Sequence, residues 1–130
     1  MFVSRKRLAA LAMAGACMAG AAPALAQDFY AGRNIEMIVG YAPGGSNDLY
    51  ARLVAQFIGE HIPGRPRVLV QNMPGGGSLV AANFVYNVAP KDGTVLAAVS
   101  QGIPLQARLG HPQARFDPAK FNWIGRTAAS

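Results

Sequence analysis

Apolar positions along the chain fall into short blocks separated by Gly and Pro. Ile35-Glu-Met-Ile-Val-Gly40 is apolar and β-rich, and predicts a strand. Tyr41-Ala-Pro-Gly-Gly45 breaks it. From Asp48 to Glu60, Leu49, Leu53 and Phe57 form one i, i+4 row, and Tyr50, Val54 and Ile58 form another. Two adjacent rows are the stripe of an amphipathic helix, expected to face the core. Asp48 and Arg52 are spaced for an ion pair on its first turn, and Pro63-Gly64 stops it. Arg67-Val-Leu-Val-Gln71 predicts a second strand, and Asn72-Met-Pro-Gly-Gly-Gly77 a second break. Ser78 is placed to cap a helix running to about Val88, with Ala81, Phe84, Val85 and Val88 on one face. After the turn Pro90-Lys-Asp-Gly93, Thr94 to Val99 predicts a third strand ending at Ser100-Gln101-Gly102. A short helix is expected over Pro104 to Leu109, and a fourth strand over Asn122 to Gly125.

The order β-α-β-α-β, with helical crossovers, implies the α/β class: a parallel sheet with helices on its faces and right-handed connections. The strands lack strict polar alternation, as expected of strands covered on both faces.

Ahead of these elements lies a different kind of segment. Arg5, Lys6 and Arg7 precede the uncharged stretch Leu8 to Ala22, and Pro23 is followed by the A-x-A site Ala24-Leu25-Ala26. This is the form of a secretory signal peptide, residues 1–26, with cleavage expected after Ala26. The stretch is shorter than the roughly 20 residues a membrane span needs, so no stable membrane insertion is expected once the signal is removed. Cys17 is the sole cysteine and would leave with the signal, so residues 27–130 form one unit without disulfide or thiolate chemistry.

Composition refines this picture. Apolar residues at 52% and charged residues at 14% exclude a disordered chain. The formal charge of +6 falls to +3 when Arg5, Lys6 and Arg7 are removed. The remaining cations are scattered, without the basic stripe of a nucleic-acid binder.

The candidate chemistry lies in the two breaks. Pro43-Gly44-Gly45-Ser46-Asn47-Asp48 joins a strand to a helix, and Pro74-Gly75-Gly76-Gly77-Ser78 repeats the arrangement. Glycines admit close backbone approach. A helix start offers unpaired N–H groups and a partial positive charge, which suits a small anion such as a carboxylate. In a parallel sheet both turns fall at the same edge, where ligands of open α/β sheets bind. Ser46 or Asn47 can cap the helix or donate to a ligand oxygen; Asp48 can favour the helix dipole or meet a ligand amine. Tyr41 lies on the rim. The same glycines also suit plain tight turns, so the pattern alone leaves both readings open. No P-loop, dinucleotide fingerprint or Gly-x-Ser-x-Gly elbow is present. His61 and His111 fall in turns far from any paired acid, and no metal, cofactor or catalytic residue is expected.

These residues carry a resemblance. "IEMIVGYAPGGSNDLYAR", Ile35 to Arg52, resembles the opening of the tripartite tricarboxylate transporter substrate receptors (TctC-like or Bug proteins). Val70-Gln71-Asn72-Met73-Pro74-Gly75-Gly76-Gly77-Ser78 is similar to the family's second hallmark, with Ser78 replacing a common Gly, and "APKDGTVLA", Ala89 to Ala97, to its third. The resemblance implies a non-enzymatic periplasmic receptor with two α/β lobes, of the type II-like periplasmic-binding-protein fold, passing small carboxylates to a membrane permease. It puts Gly44, Gly45, Ser46 and Asn47 on the carboxylate, Asp48 at the helix start, and Gly75, Gly76, Gly77 and Ser78 in the second turn. Family members are much longer, so residues 27–130 are expected to be a truncated first lobe. The alternatives are a fragment of a secreted α/β enzyme and a small periplasmic interaction module.

Overall fold

The computed structural model describes residues 29–127. The expected signal segment and its cleavage point lie outside them. Three strands form one parallel sheet: β1 (Asn34–Val39), β2 (Arg67–Asn72) and β3 (Val95–Ala98), in the order β2-β1-β3. Asn34 pairs with Arg67 through to Val39 with Asn72, and Glu36 with Val95 through to Val39 with Ala98. The parallel βαβαβ arrangement expected from the sequence is thus the one found.

Helix α1 (Ser46–Ile58) connects β1 to β2, and α2 (Leu79–Asn87) carries the chain back past β1 to β3. Reversing direction in this way places right-handed crossovers on opposite faces of the sheet. Two separate apolar clusters result. Met37 and Val39 pack with Ala51 and Ala55, flanked by Val54, Val68 and Val70. Leu79 and Ala82 pack with Ile103 and Phe116, flanked by Tyr86, Val99 and Phe121. The short helix α3 (Ile103–Arg108) matches the one expected near Pro104, and brings Ile103 into the second cluster. Central β1 is covered on both faces, with Ile35, Met37, Ile38 and Val39 all buried.

The turn at Pro63-Gly64 is explicit. Arg65 N–H donates to Ile62 O at 2.9 Å and Gly64 has φ +87°, the type II geometry that Pro-Gly favours.

Three expectations need correction. The face that α1 buries is Asp48, Ala51 and Ala55, whereas the row Leu49, Leu53 and Phe57 is about half exposed (60%, 55% and 49%). Small alanines let a helix lie close to the sheet, and that turns the neighbouring large row away. The fourth strand is not formed: Asn122 to Gly125 pairs with neither outer strand of the sheet. Its aromatic residue packs locally instead. Trp123 Nε1 donates to Pro118 O at 2.9 Å, and its ring stands edge-on to Phe121 at 5.4 Å. Third, Ser78 stands before α2 but does not cap it with its side chain. Its backbone is left-handed and its hydroxyl is bonded elsewhere.

Candidate functional site

Because the strands are parallel, the turns after β1 and β2 emerge at one edge of the sheet. In the first turn Gly44 takes φ +84°, a conformation that favours glycine, and Gly45 occupies the cap position of α1. No side chain caps the helix, so neither Ser46 nor Asn47 does so. The opening N–H groups of α1 therefore lack intrahelical acceptors. Gly44, Gly45, Ser46 and Asn47 are all exposed.

Asp48 is not exposed. Its side chain lies under the turn, 1% accessible, and each carboxylate oxygen is engaged. Oδ2 accepts from Gly44 N–H at 2.8 Å and from Arg52 Nε at 2.9 Å. Oδ1 accepts from Asn72 Nδ2 at 2.7 Å. The Arg52 hydrogen bond above all, then the Gly44 N–H and the Asn72 amide, lowers the Asp48 carboxyl to about 2. The expected Asp48–Arg52 pair forms, and Asp48 shapes the turn from beneath it.

The second turn is built by strain and a hydroxyl. Gly75, Gly76, Gly77 and Ser78 have φ of 137°, 55°, 61° and 78°. Ser78 takes a left-handed backbone without being glycine, and it is fully buried. Its Oγ donates to Gly40 O and accepts from Ser100 N–H, both at 3.1 Å. One hydroxyl thereby joins the ends of β1 and β3, the point where the strand order reverses and where ligands of open α/β sheets bind. Glycine at 40 makes this possible: a Cβ there would sit 2.5 Å from the Ser78 side chain. Gly75, Gly76 and Gly77 remain exposed.

Of the residues expected to meet a ligand, the seven from Gly44 to Asn47 and from Gly75 to Gly77 line the exposed edge. Tyr41 is half-buried, packed against the α1-side cluster. Asp48 and Ser78 lie behind the edge, bonded to protein groups. Sequence reasoning missed Asn72 and Ser100, and it paired Arg52 with Asp48 without the further bond from Arg52 to Asn72; these groups hold the turns in place. The signal for Asn72 was its position: an amide closing an apolar strand just before Pro-Gly. His61 and His111 are exposed turn residues. No group of three or more His, Cys, Asp or Glu able to hold a metal ion occurs among the described residues. Two open hollows lie elsewhere. One is near Arg33, Glu36 and Thr94 at the opposite edge, and the other runs along α2 by Val80, Phe84 and Val88; neither gathers the helix starts.

No protein-family model matches the chain. Among curated proteins, a UPF0065 protein encoded in the gbd 5′ region of Cupriavidus necator is 36% identical over 125 residues, 95% of this chain and 36% of that protein. Over nearly its whole length the chain is similar to this UPF0065 protein. Protein BugT of Bordetella pertussis is 37% identical over 91 residues, 70% of this chain and 27% of BugT. A UPF0065 protein of Agrobacterium vitis is 38% identical over 104 residues, 78% of this chain and 29% of that protein. The chain thus spans about a third of the length of the curated relatives it matches. The stretch similar to the C. necator protein takes in nearly the whole chain, both glycine turns included. Among the described residues, no helix is long and apolar enough to cross a membrane.

Proposed function

We propose that the chain belongs to the Bug family and forms the first-lobe portion of a secreted periplasmic receptor. It binds a small carboxylate without chemical change and hands it to the permease subunits of a tripartite tricarboxylate-type transporter. The observation that carries this reading is the pair of glycine turns at one sheet edge, with the uncapped start of α1 among them. Backbone N–H groups there suit a carboxylate oxygen. Gly45, Ser46 and Asn47 are its first contacts, with Gly75, Gly76 and Gly77 across the edge and Tyr41 at the rim. Asp48 and Ser78 hold these contacts from behind. The similarity to BugT and the UPF0065 proteins supports the family assignment, and the signal-like residues 1–26 support export.

The test is calorimetric titration of the natural protein without residues 1–26, at its full natural length. Citrate, other di- and tricarboxylates and acidic amino acids are the probes. Saturable one-site binding of at least one is expected, lost or weakened when Asn47 is changed to Pro. Failure to bind any small anion overturns the reading.

A further inference from the structure

We propose that Asn72 is a positioning residue that fixes the two glycine turns relative to one another and thereby sets the affinity of the edge for an anion. The inference rests on the carboxylate reading above. Asn72 is the last residue of β2 and stands three positions before Gly75. Its backbone leads into the second turn, while its side chain reaches the first. Nδ2 donates to Tyr41 O at 3.0 Å and to Asp48 Oδ1 at 2.7 Å, and Oδ1 accepts from Arg52 Nη2 at 2.8 Å. All three partners belong to the β1–α1 unit. The β1–β2 pairing register ends at Val39 and Asn72, followed by one further bond from Met73 N–H to Val39 O. Beyond that point the Asn72 side chain reaches the first turn and the start of α1, while Ser78 Oγ reaches Gly40 O at the end of β1.

Only an amide meets all three demands at once. A carboxylate keeps the acceptor for Arg52 but sets a second negative charge 2.7 Å from Asp48 Oδ1. An apolar side chain leaves Asp48 Oδ1 and Tyr41 O without this donor. The polar atoms of Asn72 are spent on protein groups, so it acts on a ligand through the turns rather than by touching it. The charged groups facing it are Asp48 and Arg52.

The deciding variant is Asn72→Asp, because its defect is reversible. At pH 8 both carboxyls are ionised and repel. Toward pH 4 the pair comes to share one proton, and the introduced O–H can donate to Asp48 as the amide does. Affinities for citrate and glutamate are measured by calorimetry from pH 4 to 8 on the same full-length protein, each divided by the wild-type value at that pH to cancel ligand titration. The expected result is about a tenfold loss at pH 8 that largely recovers toward pH 4. Leu53→Gln, on the exposed row of α1, stays at unity throughout. Asn72→Ser gives a loss without pH dependence and with the melting midpoint near wild type, which covers the case where Asn72→Asp fails to fold at pH 8. A ratio within twofold of wild type for both Asn72 variants overturns the proposal. The amide resonances of Gly44 and Gly77 are followed in the same titration. If the wild type binds no anion but both amides move as Asn72→Asp titrates, the carboxylate reading fails and the positioning role stands. If neither amide moves, the positioning role fails.

Discussion

The turns after β1 and β2 share the spelling Pro-Gly-Gly, yet different forces hold them. The first is tied by an ionised carboxylate: Asp48 reaches back from α1 to Gly44 N–H and across to Asn72. The second is tied by a neutral hydroxyl on a strained residue, Ser78, that bridges two strands. The difference follows from what each helix start has beside it. Helix α1 begins near the end of β2, where Asn72 and Arg52 can pair with a charge. Helix α2 begins over the gap between β1 and β3, where Gly40 leaves room for one small side chain and nothing larger. A glycine motif therefore specifies that the chain turns, while a polar residue a few positions away specifies how firmly.

The largest effect is expected from Gly40→Ala. The new Cβ would lie 2.5 Å from Ser78 Cβ and Oγ, displacing the second turn. Overpacking of this kind costs about 3 kcal/mol, to be read by urea denaturation. The counterpart in the first turn is Gly45→Ala, whose Cβ would meet only Ala42 O at 3.9 Å. Its expected cost is that of a poorer cap, below about 1 kcal/mol. Equal losses at the two positions would break the contrast.

Acid should separate the turns next. The Asp48 carboxyl is held at about 2 against an ordinary value of 3.8, so the folded state binds this proton less readily than the unfolded chain. Its stabilising contribution is complete above about pH 4 and is lost as pH falls toward about 2. Denaturation midpoints across that window should drop in the wild type and flatten in Asp48→Asn. Ser78→Ala should leave the slope unchanged, since a hydroxyl does not titrate there.

A smaller effect is expected within the second turn. Ser78→Ala removes the partner of Gly40 O and Ser100 N–H while keeping the left-handed strain, for a loss of about 1–3 kcal/mol. Ser78→Gly loses the same bonds but recovers about 1 kcal/mol of strain, so it should be the milder change by thermal melting. The smallest expected effect is Leu53→Gln on the exposed row of α1, within about 0.5 kcal/mol.

Much of the fold could be read from the sequence because it depends on local punctuation. The three strands and two crossovers were predicted within a few residues, bounded by Gly-Gly, Pro-Gly and Asp-Gly. The buried face of α1 was not legible. A hydrophobic row is a sound guide to the core only when size is ignored, and here Ala51 and Ala55 face the sheet while Leu49, Leu53 and Phe57 do not. The Asn122–Gly125 stretch reads as a strand, but its own residues do not show whether it lies beside an edge of the sheet, and it packs through Trp123 on Pro118 and Phe121 instead. The exposed residues of the candidate site were legible as a motif at strand ends. The groups behind them were not: burial of Asp48 and the reach of Asn72 depend on which strand lies beside which, a fact fixed by long-range packing.

The strand order has one more implication. The strand that enters the sheet's centre is the first one made. Its partners come much later, Arg67 for Asn34 and Val95 for Glu36. During synthesis, the apolar segment Ile35–Val39 must wait for both neighbours, and its pairing closes long loops of chain. Such high contact order slows folding and prolongs the time an unpaired apolar strand is exposed. This topology therefore leaves Ile35–Val39 without its partners until Arg67–Asn72 and Val95–Ala98 have been made.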